Sequence, residues 1–405
     1  MNFDFWWILY IIDGFFFIGA ALTIAYMTFF SVCSLFSRVH DVPKAKRQNR
    51  FIVVIPAYKD DHNILGAVKS ILSQTYPQRL FDVTVVSDHQ SEMTNMRLAQ
   101  YTITLLTPNF EKSSKVKSLQ YAILNLPAFK IYDVVVVLNA DDIVEPEFLE
   151  QLNDAYETAG TRAIVTHRLP RNRDTSSARL STIFEEINNS IFRRGHITLG
   201  LSSALMRSGV AYEFGWFKKH IMKVRDTAED KELEAMLIHQ QIYVDYFDQI
   251  YIYSENKREV EDFNRQRRNW IIEQFKTGIK NVRFLPAAVF NRQYDWVDKI
   301  IQWILMPRSI LFCVVFTMCI VLPFIYFTLA IKWWIITIIW GFSLAFATPD
   351  PLVDKNWDKD FLRAPLVTIG GLLNIFRAGR DEAGNRLDAF SHIIRRLKPK
   401  KKHKK

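Results

Sequence analysis

The run Asp133-Val134-Val135-Val136-Val137-Leu138 ends in Asn139-Ala140-Asp141-Asp142, so an apolar stretch gives way at once to an amide and two carboxylates. Its length and β-branched content predict a buried strand. An open α/β sheet places ligands just past the carboxyl ends of its strands, and oxygen donors there suit a divalent ion held against a phosphorylated substrate. Asn and Asp also form ordinary turns, so the remaining acids must decide between the two readings. Asp60 and Asp61 follow Phe51–Ile55 and Pro56, Asp88 follows Val83–Val86, and Glu229-Asp230 precede Leu233, Met236 and Leu237. Each has a structural use too: Asp60 or Asp61 as a helix cap, Asp88 as a turn closer, and Thr227-x-x-Asp230 as a capping box.

Such side chains need a framework, and from Phe51 to about Ile252 short apolar runs alternate with helical spacing, the pattern of an α/β sheet. Ile64, Leu65, Val68, Ile71 and Leu72 predict a helix, as do Val116–Leu126 and Ser176–Phe192. Tyr101–Leu106 and Val134–Leu138 predict strands, and Ala163–Thr166 a weaker one. The absence of a Gly-x-Gly-x-x-Gly loop argues against a hydride-transfer cofactor.

The chain of 405 residues is 49% hydrophobic yet 23% charged, which predicts a polar body joined to apolar segments. Gly14–Phe36 contains no charged residue over 23 positions, enough to cross a bilayer as a helix. Ser309–Ile331 is a second run, and Trp333–Ala347 a third after Lys332, so two hairpinned helices are expected there. The acidic Met1–Phe5 start argues against a cleaved signal peptide. Arg38, Lys44, Lys46, Arg47 and Arg50 follow the first helix, and the positive-inside rule puts them and the central region in the cytoplasm, with the N-terminus outside.

Arg395–Lys405 holds eight Lys or Arg, and with the 38–50 segment it accounts for the net charge of +10. That placement points to membrane lipids as partners and away from nucleic acid. Trp296–Met306, with Val297, Ile300, Ile301, Ile304 and Leu305, reads as a helix in the membrane interface, and Leu362–Phe376 as a second candidate. The three cysteines all fall in apolar segments, so the central region has neither a disulfide framework nor a zinc site. The resulting division is 1–37 transmembrane helix, 38–50 basic linker, 51–285 catalytic domain, 286–308 interfacial helix, 309–348 two transmembrane helices, and 349–405 interfacial segment and basic tail.

The motif order resembles the membrane-bound family 2 glycosyltransferases, in particular the hyaluronan, chitin and cellulose synthase-like group. Its parts are Val54-Ile55-Pro56-Ala57-Tyr58, Asp88, Lys115 in Lys-Val-Lys-Ser-Leu-Gln, Asn139-Ala140-Asp141, Glu229-Asp230 and Gln266-Arg267-Arg268-Asn269-Trp270, from Phe51 to Trp270. The resemblance implies an α/β, GT-A nucleotide-sugar domain flanked by transmembrane and interfacial helices, integral to a bacterial inner membrane. It implies a nucleotide-diphosphate sugar donor, a UDP-sugar first, and a glycan or lipid-linked acceptor. Asp60 and Asp88 would contact the nucleoside, Lys115 the diphosphate or base, and Asn139 and Asp141 would occupy the D-x-D motif. Asp141 would hold Mg²⁺ or Mn²⁺, and Asp230 would be the base of an inverting displacement, supported by Glu229. Gln266, Arg267, Arg268 and Trp270 would line the acceptor and diphosphate region.

Asn139 stands where that family has an acid, and Asn269 where it has an Arg, which weighs against processive polymer synthesis. An inactive nucleotide-sugar-binding scaffold and a polyprenyl-phosphate glycosyltransferase are the alternatives. The small-residue stretch Leu199–Ala211 resembles the family segment near donor and acceptor, although it also reads as a packed turn. Three crossings are too few for a self-contained export channel, so a channel would need a homo-oligomer.

Overall fold

The computed structural model describes residues 5–37, 41–225, 228–256 and 260–348, with side chains described except at 5–6, 176–177 and 260–267. A long helix α1 (Phe5–Leu35) precedes an α/β body. The first half of the body runs β1 (Phe51–Tyr58), α2 (Ile64–Leu72), β2 (Phe81–Asp88), α3 (Glu92–Leu98), β3 (Thr104–Leu106), α4 (Lys115–Leu124) and β4 (Val134–Val137). The second half runs β5 (Ile143–Val144), α5 (Phe148–Ala159), β6 (Ala163–Pro170), α6 (Ser176–Asn189), α7 (Gly195–Thr198), β7 (Val210–Glu213), α8 (Phe214–Ile221), α9 (Glu229–His239) and β8 (Val244–Ser254). Five helices follow: α10 (Val260–Asn281), α11 (Leu285–Phe290), α12 (Tyr294–Ile304), α13 (Arg308–Ile325) and α14 (Phe327–Ala347).

The strands form one mixed sheet of order β3-β2-β1-β4-β7-β6-β8-β5. β1, β2, β3 and β4 are parallel neighbours, with Phe51 opposite both Phe81 and Val134, while β7 runs antiparallel between β4 and β6. Chain order reverses between β1 and β4, the switch point at which such sheets open a crevice. β5 pairs with the far strand β8, so the turn leaving β4 spans the sheet and curls it. This is the α/β fold expected, with all five residues of Phe51–Ile55 and all four valines of β4 buried.

Three helices among the described residues are long and apolar enough to cross a membrane, within α1, α13 and α14. Their ends differ from those expected. The break between α13 and α14 falls at Tyr326, and Lys332 lies inside α14. Pro323 cannot donate to the Cys319 carbonyl four residues back, and the Trp334 indole takes that acceptor at 3.3 Å. Lys332 is tolerated because it pairs with Asp13 of α1, whose other oxygen accepts the Trp333 indole at 2.8 Å. The chain from Asp13 therefore continues α1 upstream of the uncharged Gly14–Phe36 window.

α1 also packs against the body. A wide π turn, Ser190–Arg194, joins α6 to α7, and Ile187 and Ile191 share one apolar cluster with Ala20, Ile24, Met27 and Phe30. Gly195 meets α1 backbone to backbone: a Cβ there would strike the Phe30 carbonyl and lie 3.1 Å from the Ser190 oxygen. Gly195→Ala is expected to destabilise the protein by about 1–3 kcal/mol, the usual cost of overpacking, read as a lowered thermal midpoint in detergent.

α12, expected in the membrane interface, turns Trp296, Ile300 and Trp303 into the core of the body, while Ile301 and Ile304 remain exposed. The basic linker also touches the body, with Arg47 2.7 Å from Asp133 and Lys44 3.6 Å from Glu150. Leu362–Phe376 and the basic tail lie outside the described residues.

Candidate active site

The C-terminal ends of β1 and β2 stand in register, Tyr58 beside Asp88. The residue after each strand, Lys59 at φ 48° and His89 at φ 56°, adopts the left-handed backbone that side chains ordinarily avoid. The two turns are stitched by the Lys59 amide donating to the Asp88 carbonyl at 3.2 Å. Asp88 is 1% exposed; His89 Nδ1 lies 2.6 Å from its Oδ1, and its Oδ2 has no hydrogen-bond partner among the described residues. A buried carboxylate oxygen left in that state is costly unless a ligand donates to it.

Asp60 and Asp61 have separate jobs. Asp60 is half-buried beside this crevice and accepts from Asn63 Nδ2 at 3.0 Å. Asp61 accepts from both the Ser91 amide and hydroxyl at 2.8 Å, and hydrogen bonds from Thr94 and Ser91 hold its carboxyl below the ordinary value. Asp61 therefore fastens the start of α3, and the α2 N-cap, Asn63, makes no side-chain cap bond of its own.

Asp141 and Asp142 also separate. Asp142 is fully buried and accepts the Ser208 and Ser254 hydroxyls and the Asn139 amide, the last at 2.6 Å. These partners come from the loop before β7, the end of β8 and the end of β4. Burial, with Asp141 adjacent, pushes the Asp142 carboxyl up, while the Arg168 guanidinium and the hydroxyls pull against that shift. Gly209, at φ 69°, permits this assembly because a Cβ there would collide with Thr166 and Ile252 side chains. Asp141 is half-buried, and its carboxylate takes no hydrogen bond among the described residues.

Lys115, the first residue of α4, ties the centre together. Its ammonium lies 3.0 Å from Asn139 Oδ1 and 3.2 Å from Glu229 Oε1, and donates to the Arg207 carbonyl. Glu229 and Asp230 open α9 at 4% and 5% exposure. The N-cap is Ala228 without a side-chain cap bond, and Thr227, the expected capping partner, lies outside the described residues. Asp230 Oδ1 has no hydrogen-bond partner among the described residues; Arg207 Nε approaches it to 3.8 Å. Arg207 is pinned by Glu273 of α10, whose carboxyl burial raises, with Arg207 opposing and Asp230 adding to the rise.

A cavity of about 230 Å³ joins these groups to the first turn of α13. Asn139, Arg207, Asp230 and Trp270 line one part, Phe184 and Arg308 another, and Arg308 begins α13. Of the Gln266–Trp270 motif, Trp270 reaches the cavity and Arg268 does not line it; the Gln266 and Arg267 side chains lie outside the described set. Sequence reasoning overlooked Arg168 and Arg207. Arg207 is the sole charge in Leu199–Ala211, a signal that was available. Arg168 gave none: it sits at the end of β6, its Nε buried without a partner near the charges of Glu185, Asp141 and Asp142.

A family model described as "Glycosyltransferase like family 2" matches residues 48–272, more than half of the chain. Among solved structures, the mannosyltransferase PcManGT from Pyrobaculum calidifontis, in complex with GDP-Man and Mn²⁺, is similar at 12% identity over 81% of this chain and 97% of that one, TM-score 0.49. S. aureus TarS is similar at 16% identity over 57% of this chain, TM-score 0.40, and the match spans only 40% of that protein. TarS 1-349 in complex with UDP-GlcNAc gives 15% identity over 70% and 89%, TM-score 0.38. A search of curated proteins finds no match.

Proposed function

Since the chain belongs to the glycosyltransferase-like family 2, and is therefore a glycosyltransferase, we propose that it moves a sugar from a nucleotide-diphosphate sugar, a UDP-sugar first, to a membrane-associated saccharide or lipid-linked acceptor, with inversion. The observation that carries this reading is the cavity shared by Asn139, Arg207 and Asp230, which continues to the first turn of α13. An acceptor entering there would come from the membrane side, with the body on the cytoplasmic face. The motif order aligns it with the synthase-like group, and Asn139 and Asn269 favour limited transfer over processive synthesis.

The nucleoside would lie over the β1 and β2 turns, where Asp88 Oδ2 is an acceptor awaiting an N–H or O–H, with Asp60 alongside. Asp88→Ala is expected to weaken binding of the nucleoside diphosphate by about 10- to 100-fold in calorimetry, the worth of a hydrogen bond to a charged group.

Mg²⁺ or Mn²⁺ fits a donor set of this kind. Asp142 is consumed by its hydroxyl and amide partners, and no cluster of three His, Cys, Asp or Glu side chains gathers among the described residues. Asp141 with substrate phosphate oxygens and water is the coordination such ions accept. When bound, the ion would neutralise charge developing on the departing diphosphate. Lys115 and Arg207 add fixed positive charge beside it, with Gln266, Arg267 and Arg268 expected nearby along α10.

Asp230 would take the proton of the acceptor hydroxyl as its oxygen bonds to the anomeric carbon. The bond from that carbon to the donor phosphate breaks in the same step, releasing the nucleoside diphosphate, so one carboxylate suffices. Glu229, held by Lys115, would keep the first turn of α9 in place.

The test is a screen of nucleotide sugars for diphosphate release, using the full chain in lipid nanodiscs with Mg²⁺ or Mn²⁺. Metal-dependent release stimulated by a lipid-linked saccharide supports the reading. Nucleotide binding without release from any donor would instead make the protein a nucleotide-sugar-binding scaffold.

A further inference from the structure

Glu234 lies one helical turn after Asp230 on α9 and is completely buried. Both of its oxygens are engaged. Oε1 accepts the Leu205 amide at 3.0 Å and lies 3.5 Å from Lys299 Nζ, while Oε2 accepts the Trp303 indole at 3.2 Å and Lys231 at 3.3 Å. Burial alone would raise this carboxyl, and Lys231, Lys299 and the Leu205 amide outweigh it and hold it below the ordinary value. Glu234 thus fixes α9, which carries Asp230, against the segment that carries Arg207 two residues beyond Leu205.

The anchor continues to the membrane helix. Lys299 and Trp303 belong to α12, and the residue before Lys299, Asp298, faces the other way. It accepts the Tyr26 hydroxyl of α1 at 2.8 Å and lies 3.1 Å from His196 Nε2. His196 is fully buried, stacked on Phe30 of α1 at 3.8 Å between ring centroids, and donates from Nδ1 to the Ile191 carbonyl at 2.7 Å. Consecutive charged residues of one short helix therefore grip α1 and α9.

We propose that Glu234 is a positioning residue that sets Asp230 against Arg207, and that α12 makes this setting depend on α1 through Asp298 and Tyr26. The proposal rests on the reading of Asp230 as the base. A carboxylate serves both faces of Glu234, whereas glutamine has one carbonyl oxygen and can accept on only one. Glu234→Gln alone takes the shared carboxylate from both Lys231 and the fully buried Lys299, so Glu234→Gln/Lys299→Met, which removes the more deeply buried cation, is the informative variant.

The experiment uses the full chain in nanodiscs and reads the thermal midpoint, kcat, donor KM and backbone amide exchange. The double variant is expected to regain most of the midpoint lost by Glu234→Gln. Its kcat should remain about 100-fold down, the scale of a displaced catalytic group, with donor KM within about twofold. In Tyr26→Phe, the Leu205 amide and the first turn of α9 are expected to exchange faster than in the wild type. Recovery of kcat together with stability in the double variant would reduce Glu234 to a neutralised core charge and overturn the positioning claim. Unchanged Leu205 exchange in Tyr26→Phe would overturn the link to α1. A wild type that releases no diphosphate would remove the reading of Asp230, while amide exchange in both variants would still decide whether Glu234 and α1 hold this geometry.

Discussion

Asp230→Asn is expected to lower transfer by about 100- to 10,000-fold, the range supplied by a positioned general base. The substitution keeps shape and removes the negative charge together with the ability to take a proton. Asp230 Oδ1 accepts no hydrogen bond, and its nearest cation, Arg207 at 3.8 Å, is already held by Glu273. The variant therefore breaks no hydrogen bond at Oδ1 among the described residues, and its thermal midpoint should stay near that of the wild type. Nucleoside diphosphate affinity, governed by Asp88 and Asp141 in this scheme, should change by no more than about threefold. Single-turnover measurement separates the chemical step from product release. Transfer within a few-fold of the wild type would remove Asp230 as the base and move attention to Glu273, whose carboxyl burial already raises.

The second large effect divides two adjacent carboxylates. Asp142→Ala leaves the Ser208 and Ser254 hydroxyls without their acceptor, and the Asn139 amide with Ser208 Oγ alone at 3.0 Å, in a fully buried site. The expected cost is about 3–5 kcal/mol, because each stranded polar group carries a desolvation penalty. It should appear as a lowered thermal midpoint with the bound-metal requirement unchanged in whatever protein stays folded. Asp141→Ala should do the reverse: an unchanged midpoint with metal-stimulated diphosphate release abolished. Equal loss of stability in both variants would contradict the division of labour.

Much of this architecture was readable because β1, β2 and β4 are runs buried on both faces, and runs of that kind declare themselves by composition. The acids at their ends followed from strand polarity alone. β7 was hidden for the opposite reason: Val210–Glu213 is four residues after a small-residue loop, and its strand character comes from pairing with β4 and β6. β6 also outran its expected end. Polar His167 can continue the strand because Glu186 lies 2.8 Å from its Nε2 and the Asp248 carbonyl accepts at Nδ1. At the candidate site, residue types put Asp88, Asp141 and Asp230 forward as expectations, yet a sequence does not say which of two neighbouring acids turns inward. Asp61 and Asp142 proved to be fasteners, and that choice was made by Ser91, Ser208 and Ser254, up to 112 residues distant in the chain.

The pairing of Asp13 with Lys332 bears on how the chain is completed. Asp13 is 2% exposed in the finished protein, yet its cation lies 319 residues later. At ribosomal rates of about 5–20 residues per second, and with α1 across a bilayer as its apolar length leads one to expect, that carboxylate would wait tens of seconds in surroundings that penalise charge. Only once α14 has been made does that charge gain both an ammonium and the Trp333 indole. A chain ending short of α14 would retain an unpaired acid in its first helix, a mark by which membrane quality control could tell an unfinished molecule from a complete one.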